Sequence, residues 1–125
     1  MDLQLEYTAM PIWPPLAWLA WCESGIPEVR VYHGANVETT ELFFCEAVWA
    51  GDYPLGAIDE TDIIAGSGGR LRSGEITFVS PGATVDRLQF IRNAGGIWTS
   101  NSLVCLLAAS GAEVDPTYNR YYEAF

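Results

Sequence analysis

The sequence predicts a single α+β domain over 1–125, with short, mainly antiparallel strands packed against one buried helix (101–109) and a further C-terminal helix. Three observations predict it. Apolar and polar residues alternate at 2–8, 28–32, 75–79 and 88–99, the period of half-buried strands. The period changes after Thr99 to a continuous apolar run from Leu103 to Ala109. The length of 125 residues, 50% of them apolar, supplies one core and leaves little room for two independent ones. A small all-β barrel plugged by the same helix is the alternative architecture.

Leu3, Leu5 and Tyr7 alternate with polar neighbours and start the chain as a strand. Pro11, Pro14 and Pro15 then exclude a central strand and make a stiff turn. Pro15 suits the first turn of a short helix running to about Glu23 and ended by Gly25. On such a helix Trp18 and Trp21 share a face. Two readings follow, an aromatic docking surface and a helix that plugs the end of its own sheet.

Residues 28–32 read as the second strand, and His33-Gly34-Ala35-Asn36 as a turn. The segment from Glu41 to Tyr53 is the strongest strand signal of the first half, and the parity of Phe44 and Trp49 points to a bulge or an end near Ala50-Gly51. A short helix from Glu41 competes, because Glu41, Cys45 and Val48 also fit a helical period. Asp59, Glu60 and Asp62 form an acidic turn, and 65–70 reads as a glycine-rich turn between strands. Glu75 to Val79 is a short strand closed by Ser80-Pro81-Gly82, and Asn93-Ala94-Gly95 joins the hairpin across 88–99. Ser100-Asn101-Ser102 caps the apolar helix, which stops at Gly111 and is expected to be buried through Leu103, Leu106 and Leu107. Asp115 and Pro116 start a last helix, along which Tyr118 and Tyr122, and Tyr121 and Phe125, are each four apart. That helix has no stop signal, so either it docks and ends abruptly or the chain is a fragment or module of something longer.

Charge excludes several function classes. Sixteen acidic residues face six basic ones, all arginine, for a net charge of −10. A binder of nucleic-acid backbones or of an anionic membrane is therefore excluded as an expectation. Residues 1–60 hold ten acids against Arg30 alone, a balance of −9, while residues 61–125 are near neutrality at −1. An acidic face that recruits a basic partner is one reading of this asymmetry, and a plain soluble surface is the other.

Chemistry-bearing residues are sparse. Cys22, Cys45 and Cys105 cannot close into pairs within one chain, lack any CxxC spacing and lie in apolar sequence, which points to buried thiols in a reducing compartment. Met1-Asp2-Leu3 is acidic where a signal peptide needs a basic start, so the expectation is a cytoplasmic protein. One histidine, His33, gives no zinc ligand set, and no metal or cofactor is expected. The acidic clusters Asp59-Glu60 with Asp62, and Glu113 with Asp115, lack a neighbouring histidine or apolar wall and read as solvated turns. An anion-binding reading rests on Gly66, Ser67, Gly68 and Gly69 with Arg70 and Arg72, because successive glycine amides can line an anion cradle. The competing reading of the same glycines, and the plainer one, is a hairpin turn needing positive φ. An interaction-surface reading rests on Trp13, Tyr118, Tyr121, Tyr122 and Phe125, since tyrosine and tryptophan bury large area while keeping a polar edge.

One stretch carries a family likeness. Asp86-Arg87, Phe90, the Gly95-Gly96 turn, Ile97-Trp98-Thr99-Ser100 and the Leu103–Leu107 helix follow in order, with Phe43 to Asp59 before them. Over roughly 42–109 the chain resembles the Ntn-type glutamine amidotransferase domain of asparagine-synthetase-like proteins. The resemblance implies a strand running through a small residue and a serine into a helix packed on the sheet. It also implies an N-terminal cysteine nucleophile, but here Met1 is followed by Asp2 and the nearest cysteine is Cys22. The family's arginine-containing loop and Asn-Gly oxyanion pair have no counterpart. Ser67-Gly68-Gly69 begins like the synthetase pyrophosphatase loop but continues Arg70-Leu71. The sequence thus predicts a scaffold that keeps the fold without the machinery. Its expected role is a non-catalytic protein–protein interaction or scaffold domain, working through a partner or self-association. The alternatives are an enzyme part of that family and a small-anion binding module.

Overall fold

Leu3, Leu5 and Tyr7 alternate with Gln4, Glu6 and Thr8, and they build strand β1 (Gln4–Ala9) in the computed structural model, which describes residues 3–49, 56–60, 64–80, 88–93 and 95–111. There follow β2 (Trp18–Glu23), β3 (Glu28–His33), β4 (Glu38–Thr39), β5 (Phe43–Trp49), a 3-10 turn (Ala57–Glu60), β6 (Ile64–Arg72), β7 (Glu75–Val79), β8 (Gln89–Asn93), β9 (Gly96–Ser100) and α1 (Leu103–Ser110). A five-stranded sheet has the order β1-β3-β2-β9-β8, and a four-stranded sheet the order β4-β5-β6-β7. All neighbours run antiparallel except β1 and β3, which are parallel. The described residues form an α+β architecture, with two stacked sheets and one helix after β9.

The core lies between the sheets. Trp18, Ala20, Val29 and Val31 of the first sheet meet Phe44 of the second, and Leu5, Tyr7, Ile76 and Phe78 pack around them. Trp18 and Phe44 make an edge contact with ring centroids 4.8 Å apart, and Phe78 stacks on Trp18 at 5.8 Å. The opposite face of the second sheet carries Phe43 and Cys45, covered by Ile58 of the 3-10 turn. Helix α1 lies against β2, β8 and β9.

Three sequence expectations need correction. The segment 15–23 holds strand β2 from Trp18 onward and not a helix. This strand is interior, with β3 on one side and β9 on the other, and Trp18, Leu19 and Ala20 are buried in succession. A strand covered on both faces shows an unbroken apolar run, which has no period-2 signature. Trp18 and Trp21 consequently point to opposite faces, and Trp21 packs across the strands on Trp98 at 4.6 Å.

The expected glycine-rich turn at 65–70 is the interior of β6. Glycine is needed there for close approach: a Cβ on Gly68 would stand 2.3 Å from the Phe44 carbonyl oxygen.

The helix is capped as expected, with Ser102 accepting from the Cys105 amide and Gly111 left-handed at φ 73°. It is buried on one side only. Cys105 and Leu106 are buried and Leu103 and Leu107 half-buried, whereas Val104 is 78% exposed and Ala108 and Ala109 face solvent. The helix rests on one sheet and no second layer covers it among the described residues. The last helix expected from Asp115 lies outside the described residues.

Candidate functional site

The residues of the anticipated anion cradle are strung along β6. Gly66, Ser67, Gly68 and Gly69 stand opposite Ala47, Glu46, Cys45 and Phe44 of β5, and Gly68 and Gly69 also face Val79 and Phe78 of β7. Ladder pairing sends their amides sideways to neighbouring strands instead of into one concavity. Arg70 is buried, and its guanidinium donates to the Leu71 carbonyl. Arg72 donates from Nε to Asp59 Oδ2 at 2.7 Å, and its Nη2 lies 3.2 Å from Asp59 Oδ1 and 2.6 Å from Glu60 Oε1. These contacts tie β6 to the 3-10 turn. Of the anticipated interaction surface, Trp13 is half-buried in the proline turn, its amide donating to Met10 O at 3.0 Å. Tyr118, Tyr121, Tyr122 and Phe125 lie outside the described residues.

Ser67 instead belongs to a polar link between the sheets. It accepts the Trp18 indole N–H at 3.0 Å and donates to Glu46 Oε1. Asn101 reaches the same carboxylate oxygen with Nδ2 at 3.4 Å, donates to Leu16 O at 2.8 Å and accepts the Trp18 amide at 2.8 Å. Ser100 Oγ donates to the Trp18 carbonyl at 2.5 Å. The link therefore fixes the strand-to-helix corner at 100–102 onto both sheets.

Cys22 and Cys45 hold their thiol protons more tightly than a free cysteine, against nucleophilic work at neutral pH. Burial, with Glu38 and Glu46 nearby, pushes the Cys45 thiol up to about 11, and burial raises Cys22 as well. His33 lies edge-on to Tyr7 at 5.9 Å, with Nδ1 2.9 Å from Gly34 O. Tyr7 donates its hydroxyl to Thr40 O at 2.7 Å and Phe43 O at 3.0 Å, and burial holds its proton well above the ordinary phenol value. Among the described residues no group of three histidine, cysteine or carboxylate side chains could hold a metal ion. No helix among them is long and apolar enough to cross a membrane.

The outer edge of β1 offers a different kind of site. The Gln4 amide donates to Pro27 O and the Met10 amide to His33 O, both at 2.8 Å and both toward β3. In a parallel pair, successive residues turn their backbone groups to alternate sides. Gln4, Glu6 and Thr8 therefore bond to β3, and the N–H and C=O groups of Leu5, Tyr7 and Ala9 point away from it. Among the described strands, β1 has β3 as its single neighbour. Alongside runs an open cleft of about 610 Å³, bordered by Leu3–Glu6 on one side and by Glu41, Leu42 and 71–74 on the other. Leu42 is 50% exposed there. Two further open clefts lie at the β8–β9 hairpin and beside the proline turn, away from this edge.

The alternation of β1 was legible in the sequence, but its edge position was not. That position depends on β3 pairing with both β1 and β2, which no local pattern encodes. Comparison with family models, curated proteins and solved structures found no match to this chain.

Proposed function

We propose that the chain is a non-catalytic protein–protein interaction module that takes an extended segment of a partner protein alongside β1. The observation that carries this reading is the row of outward backbone groups at Leu5, Tyr7 and Ala9 along the β1 edge, with the cleft beside its Leu3–Glu6 end. An exposed edge presents ready donors and acceptors, and strand addition is a common mode of peptide recognition. Main-chain bonds supply the pairing, and the apolar wall of Leu3, Leu5 and Leu42 gives side chains a place to pack. The scaffold, in this reading, is related to the amidotransferase part of asparagine-synthetase-like proteins. Support comes from 96–110, where β9 runs through Thr99 and Ser100 directly into α1 packed on the sheet.

The test is an amide NMR titration with a neutral heptapeptide alternating threonine and valine. Shifts concentrated at Leu5, Tyr7 and Ala9 are expected. Shifts confined to other surfaces, or none with the peptide in large excess, would overturn the reading.

A further inference from the structure

We infer that the segment accepted at the β1 edge alternates apolar residues with lysine or arginine. This rests on the strand-pairing reading above and names the chemistry of its partner. A strand added beside β1 continues the sheet, so its side chains fall on the same two faces with period 2. On the core side they meet Leu3, Leu5 and the half-exposed Leu42, which an apolar residue covers best. On the other side they lie beside Gln4, Glu6 and Thr8, all exposed. Directly opposed residues of opposite charge favour pairing and like charges oppose it.

The electrostatics of the cleft favour a cation. Glu6 and Glu41 line it and both are exposed. Among the described residues the one guanidinium lining it is that of Arg72, already matched by Asp59 and Glu60. Arg30 stands beside Glu6 on β3, yet the two form no ion pair. The wider field has the same sign, since the first sixty residues carry ten acids and one arginine. A second copy of the chain is disfavoured at this edge, because antiparallel pairing of two β1 strands in the register that sets Leu5 opposite Tyr7 would place Glu6 directly opposite Glu6.

The experiment compares heptapeptides alternating Lys–Val, Glu–Val and Thr–Val, with binding followed at the Leu5 and Tyr7 amides. At low ionic strength the Lys–Val peptide should bind about tenfold more tightly than the Glu–Val peptide, and salt should narrow the gap. A Glu6→Lys, Glu41→Lys double variant should reverse the order. Both positions are exposed, so the variant keeps its fold, checked by circular dichroism. Equal affinity for all three peptides at β1 would overturn the charge preference while leaving strand pairing in place. Failure of all three to reach β1 would overturn strand pairing itself.

Discussion

Trp18 on one sheet donates its indole N–H to Ser67 Oγ on the other at 3.0 Å, and Ser67 passes a hydrogen bond on to Glu46. Both partners are buried, Trp18 at 0% and Ser67 at 3% exposure, so this contact joins the sheets where water cannot substitute for either group.

Removing the Ser67 hydroxyl should therefore cost more than an average surface change. A Ser67→Ala variant leaves a buried indole N–H without its acceptor and should lose about 1–3 kcal/mol. Urea unfolding of wild type and variant measures it. A change within a few tenths of a kcal/mol would show that the link between the sheets is dispensable.

Helix α1 should respond one face at a time. Leu106→Ala empties a fully buried position and should cost about 2–5 kcal/mol. Val104→Glu touches solvent at 78% exposure in the first turn, where a carboxylate also suits the helix dipole, and should change stability by about 0.5 kcal/mol or less. Comparable losses at both positions would mean that the helix is enclosed all round.

That contrast shows what the sequence could convey. The apolar run 103–109 and its caps, Ser102 and Gly111, announced a helix, and the alternations announced β1, β3, β7, β8 and β9. Which side of an all-apolar helix is covered cannot be read from residues that are apolar everywhere. Trp18, Leu19 and Ala20 misled for a related reason, since burial on both faces of an interior strand erases alternation. Gly66 to Gly69 carried the marks of a turn, but glycine in a strand serves close backbone approach equally well, and only the neighbouring Phe44 distinguishes the two. In the sequence Ser67 stands within a glycine run, whereas its partners Trp18 and Glu46 lie far off along the chain and come to it only through the stacked sheets.

Stability should decline in alkaline solution through Cys45. The unfolded chain releases this thiol proton near 9.0, and the folded chain holds it to about 11. The raised folded value means that the stabilisation is complete below 9.0 and is lost as pH rises through about 11. Cys22 and Tyr7 add losses of the same sign. Urea midpoints measured across that window should fall less steeply for Cys45→Ala than for wild type. Parallel slopes would contradict the burial assigned to this thiol.

Amide hydrogen exchange along β1 tests the central claim most directly. In the free protein Glu6 and Thr8 amides should be protected by β3, while Leu5, Tyr7 and Ala9 exchange quickly at the open edge. Saturation with the Lys–Val heptapeptide should slow those three and leave Glu6 and Thr8 unchanged. Protection of Leu5 and Tyr7 equal to that of Glu6 and Thr8 before any peptide is added, or fast exchange that persists at saturation, would contradict the account.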